Sequence, residues 1–127
     1  MPVLEVLDHG ELIAYSFRDL LKYHGRGAIG GVAHGFKVME RALPLLAAGE
    51  PPERHDISVE TAFEGRGARD AFEMVTRALT EGRYRVDRRR GAVPGGWRRR
   101  VWTGAIATTY SGAHPGVGEA WRWSQTR

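Results

Sequence analysis

A cluster of glycines that opens an apolar helical repeat constrains this chain more than any other feature. From residue 23 to 46 it reads Tyr-His-Gly-Arg-Gly-Ala-Ile-Gly-Gly-Val-Ala-His-Gly-Phe-Lys-Val-Met-Glu-Arg-Ala-Leu-Pro-Leu-Leu, with glycine at 25, 27, 30, 31 and 35. Glycine at that density marks a backbone that turns sharply or admits close approach. Val32, Phe36, Met39, Leu43 and Leu46 then recur at the spacing of one apolar helical face. The spacing predicts a helix over 31–43, ended or kinked by Pro44, which lacks a backbone donor and disfavours helical geometry before it. A helix entrance carries unpaired N–H groups and partial positive charge, which suit an anion.

Length and composition narrow the class. A chain of 127 residues, 42% hydrophobic, builds one domain around one core. It has no cysteine, which excludes disulfides, thiolate nucleophiles and cysteine metal sites and fits a reducing compartment. With no signal-peptide pattern and no apolar run of membrane-spanning length, the expectation is a soluble cytoplasmic protein without a membrane partner. The net charge of +4 is carried almost wholly by arginine, Lys22 and Lys37 being the only lysines. Arginine suits bidentate contact with carboxylate or phosphate.

The remaining elements follow in order. Strands are predicted over 3–7 and 11–15 around the turn Asp8-His9-Gly10, the second of them also readable as helix. Ser16 with Asp19 resembles a capping box ahead of a short helix over 17–24. Residues 47–53 read as a loop, and 56–63 alternate as a strand with Ile57, Val59 and Phe63 on one side. A second glycine entrance, Gly65-Arg66-Gly67, opens a helix with Ala68, Phe72, Val75 and Leu79 on one face and Gly82 as its stop. The two helices share the string Arg-Ala-Leu near their ends, a weak internal echo. A short strand over 84–88, a loop over 89–96 and one long strand over 97–110 complete the reading, before an irregular tail. The fold class is α+β: two principal amphipathic helices on an antiparallel or mixed sheet.

The residues Tyr23-His24-Gly25 and Gly67-Ala68-Arg69-Asp70-Ala71 resemble the FmdE family, which is named for a component of formylmethanofuran dehydrogenase. Its members carry an aromatic-His-Gly-His-x-Cys-Pro-Gly loop into an amphipathic helix, then a strand and a helix opening with Cys-x-x-Asp-Ala and leading toward Thr-Gly-Cys. His24, Gly25, Gly30, Asp70, Ala71 and Thr76 match that pattern; the resemblance covers roughly residues 16–87. Arg26 stands for the second histidine, Ile29 for the proline, and Ala28, Gly67 and Ala78 for the cysteines. The resemblance implies an α+β homodimer with a metal or redox site near the glycine loop. Without thiolates that chemistry is lost, and no cofactor is expected.

Several constellations remain as candidates. His24 fits a general acid or base oriented by Asp70; the same residues also fit a histidine ending one helix and an acid at the start of another. His24 and His34 lie ten residues apart with no third ligand at metal spacing, so no metal site is assigned. Gly25-x-Gly27-x-x-Gly30 lacks the preceding strand of a dinucleotide fingerprint. What remains is an anion pocket of Gly25, Gly27, Gly30 and Gly31 amides with Arg26, His34 and Glu60 beside it, for a small acidic molecule. The arginines at 88–90 and 98–100, with Trp97 and Trp102, match either phosphate and base contact with nucleic acid or a solvated strand edge. The pocket ranks first, an enzyme using His24 second and nucleic-acid binding last.

Overall fold

The computed structural model of this chain describes residues 2–27, 29–62, 65–86, 99–103 and 106–111. Strands β1 (Val3–Asp8) and β2 (Glu11–Ser16) form an antiparallel hairpin, with Leu7 facing Leu12 and Asp8 facing Glu11. His9 and Gly10 close it with φ of 52° and 87°, the positive values a two-residue hairpin turn requires. The second segment is thus a strand, not a helix. Ser16 then caps helix α1 (Phe17–His24): Asp19 N–H donates to Ser16 Oγ at 3.2 Å, and Ser16 N–H to Asp19 Oδ2 at 2.9 Å.

Helix α2 runs from Ile29 to Leu46, two residues earlier and three later than the spacing predicts. Pro44 lies in its last turn without ending it. Loss of the bond to Glu40 is offset because Leu43 and Leu46 stay on the buried face, about 1.5–3 kcal/mol each. The end comes at Ala48 and Gly49, both left-handed, with Gly49 N–H donating to Pro44 O at 3.0 Å. The predicted apolar face, Val32, Phe36, Met39, Leu43 and Leu46, is wholly buried.

After a 3-10 turn (Arg54–Asp56), β3 (Ile57–Thr61) leads to helix α3 (Arg66–Thr76) and β4 (Tyr84–Val86), which lies parallel to β3. The predicted single strand over 97–110 is two, β5 (Arg99–Thr103) and β6 (Ile106–Tyr110), antiparallel with Thr103 paired to Ile106. The sheet order is β4-β3-β6-β5, a mixed sheet. All five β6 residues are buried. α2 touches α1, α3, β1, β5 and β6, which makes it the spine of an α+β domain. Phe63, residues 88–90, Trp97, Arg98 and the tail lie outside the described residues, as does the side chain of Trp102. Among the described residues no helix is long and apolar enough to cross a membrane.

α3 stops at Thr76, well before Gly82, because its last carbonyls are taken by distant groups. Arg77 adopts φ 59° and donates N–H to Glu73 O at 2.8 Å. Arg54, 6% exposed, donates Nε to Val75 O at 3.0 Å and Nη2 to Met74 O at 2.6 Å, while Arg83 Nη2 donates to Thr76 O at 3.1 Å. Two guanidinium groups thus cap a helix end, where cations are favoured.

Candidate functional site

His24 is the last residue of α1. Gly25 follows at φ 90°, donating N–H to Leu21 O at 2.7 Å, so the helix ends there and its final side chain turns inward. That imidazole is 8% exposed, and its Nδ1–H donates to Asp70 Oδ2 at 2.6 Å. Asp70 extends from the first half of α3, with Arg69 Nε 3.6 Å from its other oxygen. Among the described residues His24 Nε2 has no hydrogen-bond partner, so the carboxylate fixes one ring nitrogen and leaves the other uncommitted.

The glycines do something else. A Cβ on Gly31 would lie 3.0 Å from Gly67 Cα, and one on Gly35 would lie 2.9 Å from Ala71 Cβ and 3.2 Å from Ala68 Cα. Gly31 and Gly35, one turn apart on α2, are therefore the ridge against which α3 packs through Gly67, Ala68 and Ala71. Of the residues expected to form an anion cradle, Gly31 lies inside the helix crossing, Gly27 and Gly30 are exposed, and Arg26 is exposed without a described contact. Ala28 is outside the described residues. Glu60, expected beside the loop, instead pairs with Arg85, its register partner across β3 and β4, and its Oε1 is buried without a hydrogen bond.

Beyond the glycine crossing lies a cavity of about 300 Å³ lined by Gly31, His34, Thr61, Gly65, Ala68, Tyr84 and Ile106. α2 contributes His34, the start of α3 contributes Gly65 and Ala68, and the mixed sheet forms the floor. Three of the lining residues, Gly31, Gly65 and Ala68, carry no side chain larger than a methyl group. The walls are mainly carbon, with an imidazole, a hydroxyl and a phenol as polar groups. Burial pushes the Tyr84 phenol above its ordinary pKa, and the charge of Arg69 acts against that rise. Gly65 gives α3 no side-chain cap, and the first turn of α3 has no acidic residue.

The structure thus divides the sequence candidates between two places. His24 and Asp70 meet; Gly31 and His34 line the cavity; Gly25, Arg26, Gly27, Gly30 and Glu60 join neither. Thr61, Tyr84 and Ile106 escaped the sequence reading, since each looks like an ordinary strand residue and only the sheet order brings them beside α2. No family model, curated protein or solved structure matches this chain.

Proposed function

We propose that this chain is a small-ligand-binding domain, a thiolate-free relative of the FmdE family, and that its ligand is a small acidic molecule with an apolar body. The cavity beside the α2–α3 crossing carries this reading. Its volume and mainly apolar wall with a few polar groups are those of a small-molecule site. Gly65 sits at its edge, where the uncapped and positive end of α3 favours a carboxylate, and His34 stands opposite on α2. Homodimerisation, implied by the resemblance, belongs to the same proposal.

A thermal-shift screen of short aliphatic and aromatic carboxylates tests it. At a hundredfold excess over Kd a ligand stabilises by about 2.7 kcal/mol, a Tm rise on the order of 10 °C. His34→Ala and Tyr84→Phe are expected to reduce that rise while leaving the ligand-free Tm nearly unchanged. A screen without a hit, or a hit indifferent to both substitutions, overturns the assignment.

The bond between His24 and Asp70 favours a second reading, an enzyme with the imidazole as general acid or base. A carboxylate on Nδ1 holds the ring in the tautomer that leaves Nε2 able to take a proton. Any molecule that shifts the Tm can be followed for turnover. The expected outcome is a rate falling about 10²–10⁴-fold in His24→Gln with the circular dichroism spectrum retained. Binding without turnover, or turnover unaffected by the substitution, rejects the enzyme.

A further inference from the structure

A second cluster gathers at the opposite end of α3, about 16 Å away along an 11-residue helix. There the hairpin turn, the 3-10 turn and the α3–β4 connection meet. His55 lies between two carboxylates: Nδ1 is 2.9 Å from Glu81 Oε1, and Nε2 is 2.9 Å from Asp8 Oδ1. The adjacent His9, at 84% exposure, places Nδ1 3.0 Å from the same Asp8 oxygen. The two imidazoles stack with centroids 4.7 Å apart. Arg54 Nη1 donates to Asp8 Oδ2 at 3.2 Å.

We propose that Asp8 Oδ1, His9 Nδ1 and His55 Nε2 form a binding site for a divalent transition-metal ion of the zinc class. The three donor atoms lie within 4.8 Å of one another. A tetrahedral ion with bonds of about 2.0–2.1 Å spaces its ligands roughly 3.3 Å apart, so the two Asp8 pairs at 2.9 and 3.0 Å open by a few tenths of an ångström. The two imidazole nitrogens, no more than 4.8 Å apart, settle to the same spacing through rotation of the exposed His9 ring. Two imidazoles and a carboxylate are a borderline-soft set that suits zinc better than calcium or magnesium.

The surroundings fit a ligand set as well. A histidine that binds metal through one nitrogen ordinarily donates its other N–H to a carboxylate, which fixes the ring; Glu81 occupies that place on His55. Arg54 engages Asp8 Oδ2 and leaves Oδ1 to the ion. Binding displaces the proton that His55 Nε2 directs at Asp8 Oδ1, since a ligating nitrogen must be unprotonated. The high exposure of His9 leaves a fourth position to solvent. This site shares no residue with the cavity, so the two assignments stand or fall separately.

The test uses the full chain after chelator treatment, titrated with Zn²⁺ by calorimetry and with Co²⁺ by visible absorption. One equivalent per chain and a tetrahedral Co²⁺ spectrum are expected. His9→Asn keeps a residue that tolerates positive φ, so the turn folds, and it is expected to weaken Zn²⁺ uptake at least tenfold. Glu81→Gln is expected to weaken it about 10–100-fold with the stoichiometry unchanged. Absence of saturable uptake by the unaltered chain, or uptake equal in the chain and in His9→Asn, overturns the site.

Discussion

Replacing Gly35 by leucine is expected to destabilise the protein by about 3 kcal/mol or more, measured as a fall in the urea midpoint. Helix propensity alone predicts the reverse, since glycine inside a helix costs about 1 kcal/mol relative to alanine. Packing decides the sign. At Gly35 even a Cβ meets Ala71 Cβ at 2.9 Å and Ala68 Cα at 3.2 Å, and the second of these is backbone that cannot rotate away. A leucine must push α3 off α2, opening contacts along a core that includes Val32, Phe36 and Phe72. Gly30 on the same helix is the control, because nothing lies within 4 Å of an added Cβ. Gly30→Ala is expected to be neutral or to stabilise by up to about 1 kcal/mol. Equal midpoints for Gly35→Leu and the unaltered chain would rule out the close crossing.

Arg54→Ala is expected to cost about 3–5 kcal/mol in the same measurement. Its guanidinium is nearly buried and joins four groups: the carbonyls of Met74 and Val75, the Asp8 carboxylate, and the ring of Tyr15 at 5.7 Å. Truncation leaves two helix carbonyls without their donor and Asp8 without its buried cation, penalties larger than those of an exposed ion pair. Arg54→Lys is expected to recover little, because one ammonium cannot span donors that a planar fork directs at several acceptors. A loss below about 1 kcal/mol, the range of exposed pairs, contradicts this role.

The pH behaviour of the Asp8–His55–Glu81 cluster follows from the same contacts. Hydrogen bonding to Glu81 and then to Asp8 holds the His55 imidazole above its ordinary pKa, and His55 holds both carboxyls below theirs. These groups are most fully charged together in mildly acidic solution, above the ordinary carboxyl range and below that of imidazole.

What the chain alone determined is whatever neighbours in sequence decide. The apolar spacing from Val32 to Leu46 gave the buried face of α2, Ser16 and Asp19 marked the start of α1, and the turn chemistry of Asp8-His9-Gly10 marked the hairpin. Each rests on interactions spanning a few residues, so composition and period suffice. The sequence also offered Asp70 as an orienting partner for His24, beside the reading in which each serves only its own helix, and the fold brings the two within 2.6 Å.

Tertiary structure decided the rest. Pro44 persists inside α2 because the surrounding core outweighs its lost hydrogen bond, and α3 ends at Thr76 because Arg54 and Arg83 reach its carbonyls from outside the helix. The glycines marked a close approach, which can be made by a ligand or by another helix with the same local signature; only the packing of Gly31 and Gly35 on Gly67, Ala68 and Ala71 shows that it is a helix. Thr61, Tyr84 and Ile106 line one cavity, and Asp8, His9 and His55 form one cluster, solely because strands and turns far apart in the chain are neighbours in space. No local free-energy term distinguishes those residues from others of their kind.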